Sequence, residues 1–173
     1  MNKKILVTYA SRTDSTSGVA EAIGRTLTEK GLQADVRPMK EVNDLTSYGA
    51  VVAGSPIQGA KWLPEAIQYI KNHRHALASK PFASFTLCMT LAMKNGEKYR
   101  HGVEQWLQPI RQIVQPVSEG FFAGILDISR IPSFDKRLQF RISVFLGIWK
   151  EGDHRDWNAI NTWAENLNRI LEK

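Results

Sequence analysis

Cysteine is nearly absent from this chain of 173 residues: Cys88 is the single one. A lone thiol excludes an intramolecular disulfide and any cysteine-based metal cluster, and it suits a reducing compartment. No apolar run reaches the roughly 18 residues of a membrane-spanning helix. The apolar stretch inside MNKKILVTYAS is also too short for a signal peptide. The expectation is a cytoplasmic protein, soluble or held peripherally on the inner face of a membrane. Neither GxGxxG nor GxxxxGK(S/T) occurs, so the dinucleotide fingerprint and the P-loop are not supported. His73 and His75 stand two apart, a spacing that does not place both on one helix face, so they do not read as a metal pair. Asp127, Asp135, Asp153 and Asp156 form no metal-ligand pattern. There is no Ser/His/Asp arrangement and no evident general acid or base, so the catalytic residue is left unassigned.

Acidic residues are also short. The 17 Asp and Glu face 23 Lys and Arg, a formal charge of +6. Such a balance favours an anionic partner: a membrane surface, an acidic protein, an acidic ligand or nucleic acid. The plain alternative is a merely basic surface. Lys and Arg are scattered without an interleaved aromatic stripe, which makes nucleic acid the weakest of these options.

Apolar residues make up 43% of the chain, which argues against global disorder and for one ordinary domain with a real core. Lys3–Tyr9 reads as a strand and Thr16–Lys30 as a helix, with Val19, Ala20, Ile23 and Leu27 at helical spacing and Gly31 as its stop. Leu32–Arg37 alternates as a short strand, and Gly49–Gly54 reads as a strand buried on both faces. Leu63–Ala76 reads as a helix and Pro81–Cys88 as a strand. Glu97–Gln115 reads as a helix that Pro109 bends or splits. Phe121–Leu126 is the expected last strand. A final helix follows, capped by Asp153 or Asp156 and striped by Trp157, Ile160, Trp163, Ala164, Leu167, Ile170 and Leu171. This alternation of about five strands with about five helices argues for a parallel sheet covered on both faces. Segment 128–152 does not fit the alternation.

The stretch that invites a ligand is Ser11-Arg12-Thr13-Asp14-Ser15-Thr16. It lies between the first strand and its helix. Such a loop offers backbone N–H and side-chain O–H groups to an anion, next to the positive end of a helix dipole. The simpler reading makes Ser15 or Thr16 only an N-cap. That accounts for one hydroxyl, not four in six positions.

With its flanks, Tyr9–Thr16 resembles the flavodoxin phosphate loop, (S/T)-x-T-G-x-T. The resemblance continues in order through Val51-Val52-Ala53-Gly54-Ser55-Pro56-Ile57 and the Trp62-bearing loop, then Ser84–Thr90, then Glu151–Trp157. It covers nearly the whole chain. It is nearest to flavodoxin-domain proteins of the menaquinone-dependent protoporphyrinogen IX dehydrogenase type, which share the Ser-Arg pair and an inserted segment near the last strand. The resemblance implies an α/β flavodoxin-like three-layer sandwich over residues 1–173. Its five-stranded parallel sheet would run in the order 2-1-3-4-5, with segment 128–152 inserted near strand 5. It implies FMN as cofactor. Ser11, Arg12, Thr13, Asp14, Ser15 and Thr16 would hold the phosphate. Pro56, Ile57 and Gln58, with Trp62 nearby, would flank one side of the flavin ring. Thr90, Leu91, Ala92, Met93, Lys94 and Asn95 would meet its polar edge and other side. The implied function is an FMN-dependent oxidoreductase that moves electrons from a reduced organic substrate to a quinone. The alternative is a flavodoxin-like electron carrier that docks on a redox partner protein and has no substrate of its own. A third reading is a flavin-poor interaction protein that kept the fold.

Asp14 departs from the family pattern, which has Gly there. Asp tolerates the left-handed conformation, but its charge opposes a phosphate dianion, and Arg12 is the expected offset. In Ser133–Lys150, Phe134, Leu138, Ile142, Phe145 and Trp149 fall on one helical face, widened by Val144 and Ile148. Lys136, Arg137 and Arg141 lie off its centre, with Arg130 and Lys150 at the flanks. This face reads as core-facing, as a contact with a membrane, quinone or apolar substrate, or as a homodimer interface.

Overall fold

A computed structural model describes residues 4–131 and 133–171. Lys3, where the first expected strand opened, lies outside the described residues. The strands are β1 (Lys4–Tyr9), β2 (Ala34–Pro38), β3 (Tyr48–Pro56), β4 (Phe82–Leu87) and β5 (Ser118–Phe122). They form one parallel sheet in the order β2-β1-β3-β4-β5. Helices α1 (Ser15–Glu29), α2 (Pro64–Asn72), α3 (Arg74–Ala78), α4 (Arg100–Gln105), α5 (Gln108–Arg111), α6 (Phe134–Phe145) and α7 (Trp157–Leu171) complete the fold.

Period-2 alternation splits the core between the two sheet faces. Ile5, Val7, Ala50, Val52 and Phe85 pack with Val19, Ile23 and Leu27 of α1 and Ile160, Ala164 and Leu167 of α7. Leu6, Val51, Ala53 and Phe82 pack with Ala66 and Ile70 of α2, Leu77 of α3, Val103 of α4 and Ile110 of α5. Gly54 lies where a Cβ would collide with the ring of Phe85. Ile5, Leu6, Val7, Val51, Val52 and Ala53 are all buried, as strands covered on both sides must be.

Four expectations are corrected. The 63–76 helix breaks at His73 into α2 and α3. The 97–115 helix divides into a 3₁₀ turn at Gly96–Tyr99, then α4, then α5, which carries Pro109 in its first turn. Proline lacks an N–H and is tolerated only there. The last sheet strand begins at Ser118, where Arg111 forks the Glu119 carboxylate at 2.7 to 3.1 Å. That ion pair lets a polar residue open an edge strand. The chain then leaves the sheet: β6 (Ile125–Leu126) pairs antiparallel with β7 (Gly152–Asp153), and α6 is carried between these two short strands.

The fourth correction concerns α6. No residue of it is buried, which overturns the core-facing reading. Phe134, Leu138, Ile142 and Phe145 do form one exposed stripe, with Phe145 90% exposed. Gly147, at φ +72°, ends the run, and Trp149 turns back onto Phe140 with ring centroids 6.3 Å apart. Trp149 and Val144 are therefore half-buried and stand apart from the exposed stripe. Among the described residues, no helix is long and apolar enough to cross a membrane.

Candidate functional site

Three loops gather at the carboxyl ends of the central strands. The first follows β1, where the Ala10 N–H donates to the Gly54 carbonyl at 2.9 Å and ties the loop to β3. Helix α1 starts at Ser15, and Asp14 before it adopts φ +61°, the left-handed conformation for which the resemblance has Gly. Asp is one of the few L residues that accept it. The simple N-cap reading fails, because no side chain caps α1. Instead the Ser17 hydroxyl donates to the Asp14 carbonyl at 2.7 Å. Ser11 Oγ and Thr16 Oγ1 are buried and have no hydrogen-bond partner among the described residues. Leaving a buried hydroxyl unpaired costs about 1–3 kcal/mol, so such atoms call for a partner. The chemistry of this loop, with hydroxyls and free N–H groups at a helix N-terminus, fits a phosphate.

The charges are arranged differently from the expectation. Arg12 does not offset Asp14: its Nε and Nη2 fork Glu65 of α2, each at 3.1 Å. The fork turns two guanidinium nitrogens of Arg12 toward Glu65 and away from Asp14. The Asp14 carboxylate pairs instead with Arg130 Nη1 at 3.2 Å, and the same nitrogen donates to the Thr13 carbonyl at 3.3 Å. Arg155 Nη1 donates to the Ser15 carbonyl at 3.4 Å. Asp153 forks Arg155 at 2.6 and 2.9 Å, and the Trp157 ring lies 4.4 Å from the guanidinium carbon. Those bonds from Arg155 hold the Asp153 carboxyl below the usual range. Gly18 makes room for Arg155, since a Cβ there would stand 2.7 Å from Nη1. Sequence reasoning gave Arg130 only as a flank and gave Arg155 no role. Pairing across more than a hundred residues leaves no local pattern to read.

The second loop is a hairpin. Ile57 bridges to Trp62, and the Gln58 N–H donates to the Lys61 carbonyl at 2.9 Å. Gly59 and Ala60 both have positive φ, the signature of a type I′ turn. Pro56 and Ile57 are half-buried and Gln58 is exposed. Trp62, expected beside the ring, is corrected: it is 1% exposed, and its indole donates to Thr86 Oγ1 at 2.9 Å. It holds the hairpin from beneath and presents no face to a ligand.

The third loop follows β4. Thr90, Leu91 and Ala92 lie on a 3₁₀ turn, Met93 follows it in extended conformation, all four are half-buried, and Asn95 sits at φ +63°. Gly96 is forced by close approach, because a Cβ would meet the Leu91 carbonyl. The Ile57 N–H donates to the Leu87 carbonyl at 2.8 Å, which sets the second loop against the root of the third.

A cleft of about 590 Å³ opens beside the first loop, lined by Tyr9, Ser11, Asp14, Ser17, Glu41, Glu65 and Tyr69 among others. Burial, followed by the charges of Glu21, Glu41 and Asp14, pushes the Tyr9 hydroxyl up. Burial does the same to Tyr69. Two of its carboxylates are already paired, Glu65 with Arg12 and Asp14 with Arg130. Cys88 is a buried core thiol. No group of three metal-ligating side chains occurs among the described residues.

The flavodoxin domain profile matches residues 6–143. The chain belongs to the flavodoxin domain family. Its cofactor is FMN, and the orphaned hydroxyls of the first loop agree with that. A Leishmania major protein named protoporphyrinogen IX dehydrogenase (quinone) is 28% identical, over 95% of this chain and 74% of its own length. The Escherichia coli K12 protein of the same name is 23% identical, over 98% of this chain and 97% of its own. Among solved structures, an archaeal flavodoxin aligns over 98% of this chain and 99% of its own, with TM-score 0.57 and 18% identity.

Proposed function

We propose that the chain is an FMN-dependent oxidoreductase of the protoporphyrinogen dehydrogenase type. Electrons leave a reduced porphyrinogen and end on a quinone, which becomes the quinol. The observation that carries this reading is the exposed apolar stripe of α6, on the segment whose root touches the first loop. A carrier that docks on charged soluble proteins has no use for such a stripe, whereas quinones and bilayers are apolar. The relatives' name supports the same reading.

Bound FMN supplies reversible one- and two-electron transfer. Ser11, Thr13, Ser15 and Thr16 hold its phosphate through hydroxyls and N–H groups, with backbone N–H groups of Arg12 and Asp14 in the same turn. Pro56, Ile57 and Gln58 flank one side of the ring. Thr90, Leu91, Ala92, Met93 and Asn95 flank the other and offer backbone groups to its polar edge. The half-buried apolar members of these walls, Pro56, Ile57, Leu91, Ala92 and Met93, would exclude water and fix the ring's orientation. The basic surface of the chain suits a substrate that carries carboxylates.

The occupant proposed for the α6 stripe is the membrane surface that holds the quinone, and the protein would then sit peripherally on the cytoplasmic face. A second copy of the chain is the competing occupant, and the test separates them. Phe134, Leu138, Ile142 and Phe145 changed together to serine should abolish sedimentation with anionic liposomes while FMN affinity stays the same. Unchanged sedimentation, or a monomer produced from a wild-type dimer, would contradict the membrane contact.

A further inference from the structure

We infer that Arg130 belongs to the FMN phosphate site, where it neutralises Asp14 and takes the place of the uncharged turn residue of the family pattern. The inference rests on the assignment of the first loop to the phosphate. Asp14 stands at the left-handed position just before α1, with its carboxylate 86% exposed at the end where the phosphate would lie. Alone, it would oppose a dianion. Arg130 meets it from the far side of the chain: Nη1 lies 3.2 Å from Asp14 Oδ2 and 3.3 Å from the Thr13 carbonyl.

Arg130 is itself aimed. Its Nε pairs with Asp127 Oδ2 at 3.3 Å, and Asp127 accepts from the Ser129 N–H at 3.0 Å and from the Ser129 hydroxyl. The turn Ile128–Arg130 thus presents a guanidinium to the loop. A second guanidinium, Arg155, comes from beyond β7 to the Ser15 carbonyl. Two cations therefore gather at the positive end of a helix dipole, next to the unpartnered Ser11 Oγ and Thr16 Oγ1. Each is already paired, Arg130 with Asp14 and Asp127 and Arg155 with Asp153, so Asp14 meets the phosphate as a neutralised carboxylate. Arg130 remains half exposed, and a guanidinium is well suited to binding a phosphate as well.

The test compares FMN and riboflavin binding to the apoprotein by fluorescence titration. The variants are Arg130→Gln, Arg130→Lys, Asp14→Gly and the Asp14→Gly/Arg130→Gln double variant. Arg130→Gln should weaken FMN about two- to fivefold at low salt, with riboflavin unchanged, because an exposed charge acts on the phosphate alone. Arg130→Lys should recover part of the loss. In the Asp14→Gly background the same change should cost less than in wild type, the mark of coupling between the two residues. Equal FMN affinities for wild type and Arg130→Gln would overturn the role of Arg130. Equal losses in both backgrounds would overturn its coupling to Asp14. A wild type that binds FMN no more tightly than riboflavin would overturn the phosphate site itself.

Discussion

Asp153 and Arg155 show how single residues hold the loop in place. Because the fork from Arg155 lowers the folded pKa of Asp153, the unfolded chain binds more protons as pH falls through the ordinary carboxylate range. Stability from this pair is complete above about pH 4 and is lost below it. Thermal midpoints between pH 5 and pH 3 should therefore fall less steeply in Asp153→Asn than in wild type. Parallel slopes would show that the fork contributes nothing. Gly54 tests a different residue-scale constraint. Its missing Cβ admits the Phe85 ring, so Gly54→Ala should destabilise the fold by about 2 kcal/mol or more in urea unfolding. Asp14 was legible as a departure from the motif, and its left-handed backbone was anticipated. Its true partner was not. Arg12 is a near neighbour in sequence, but Glu65 of the next helix captures it, while Arg130 arrives through the fold.

At the scale of elements, the regular part of the chain was readable because its patterns are strong. Apolar runs such as Ile5-Leu6-Val7 and Val51-Val52-Ala53 fix buried strands, and the α1 and α7 stripes fix the helices that cover one face. Legibility ended where polar residues or breaks intervene. Ser118 and Glu119 open β5 because Arg111 satisfies the carboxylate, and no apolar pattern signals that. Trp62 lies in a loop by sequence and in the core by structure, since Thr86 provides its indole with a partner. In α6 the apolar pattern was real, but pattern alone does not say what covers a face. Because Phe134, Leu138, Ile142 and Phe145 are exposed, folding gains little from them. Changing Leu138, Ile142 and Phe145 to serine should shift unfolding free energy by no more than about 0.5 kcal/mol per site. A loss of about 2–5 kcal/mol per site would instead mark them as core residues.

Across the whole molecule, the parallel sheet puts three loops at one end, and the segments flanking the β6–β7 ribbon bring two arginines to the first of them. The Arg130–Asp14 pair thus ties the cofactor loop to the root of the segment that carries α6, which suits the proposed transfer from a porphyrinogen to a quinone. The direct measurement is anaerobic reduction of the FMN-loaded protein by protoporphyrinogen, followed by addition of menaquinone, with flavin absorbance and porphyrin fluorescence recorded together. The account predicts bleaching of the flavin by the porphyrinogen, recovery on adding the quinone, and porphyrin that accumulates with turnover. A flavin that stays oxidised with porphyrinogen but exchanges electrons readily with a soluble redox protein would contradict it and leave an electron carrier.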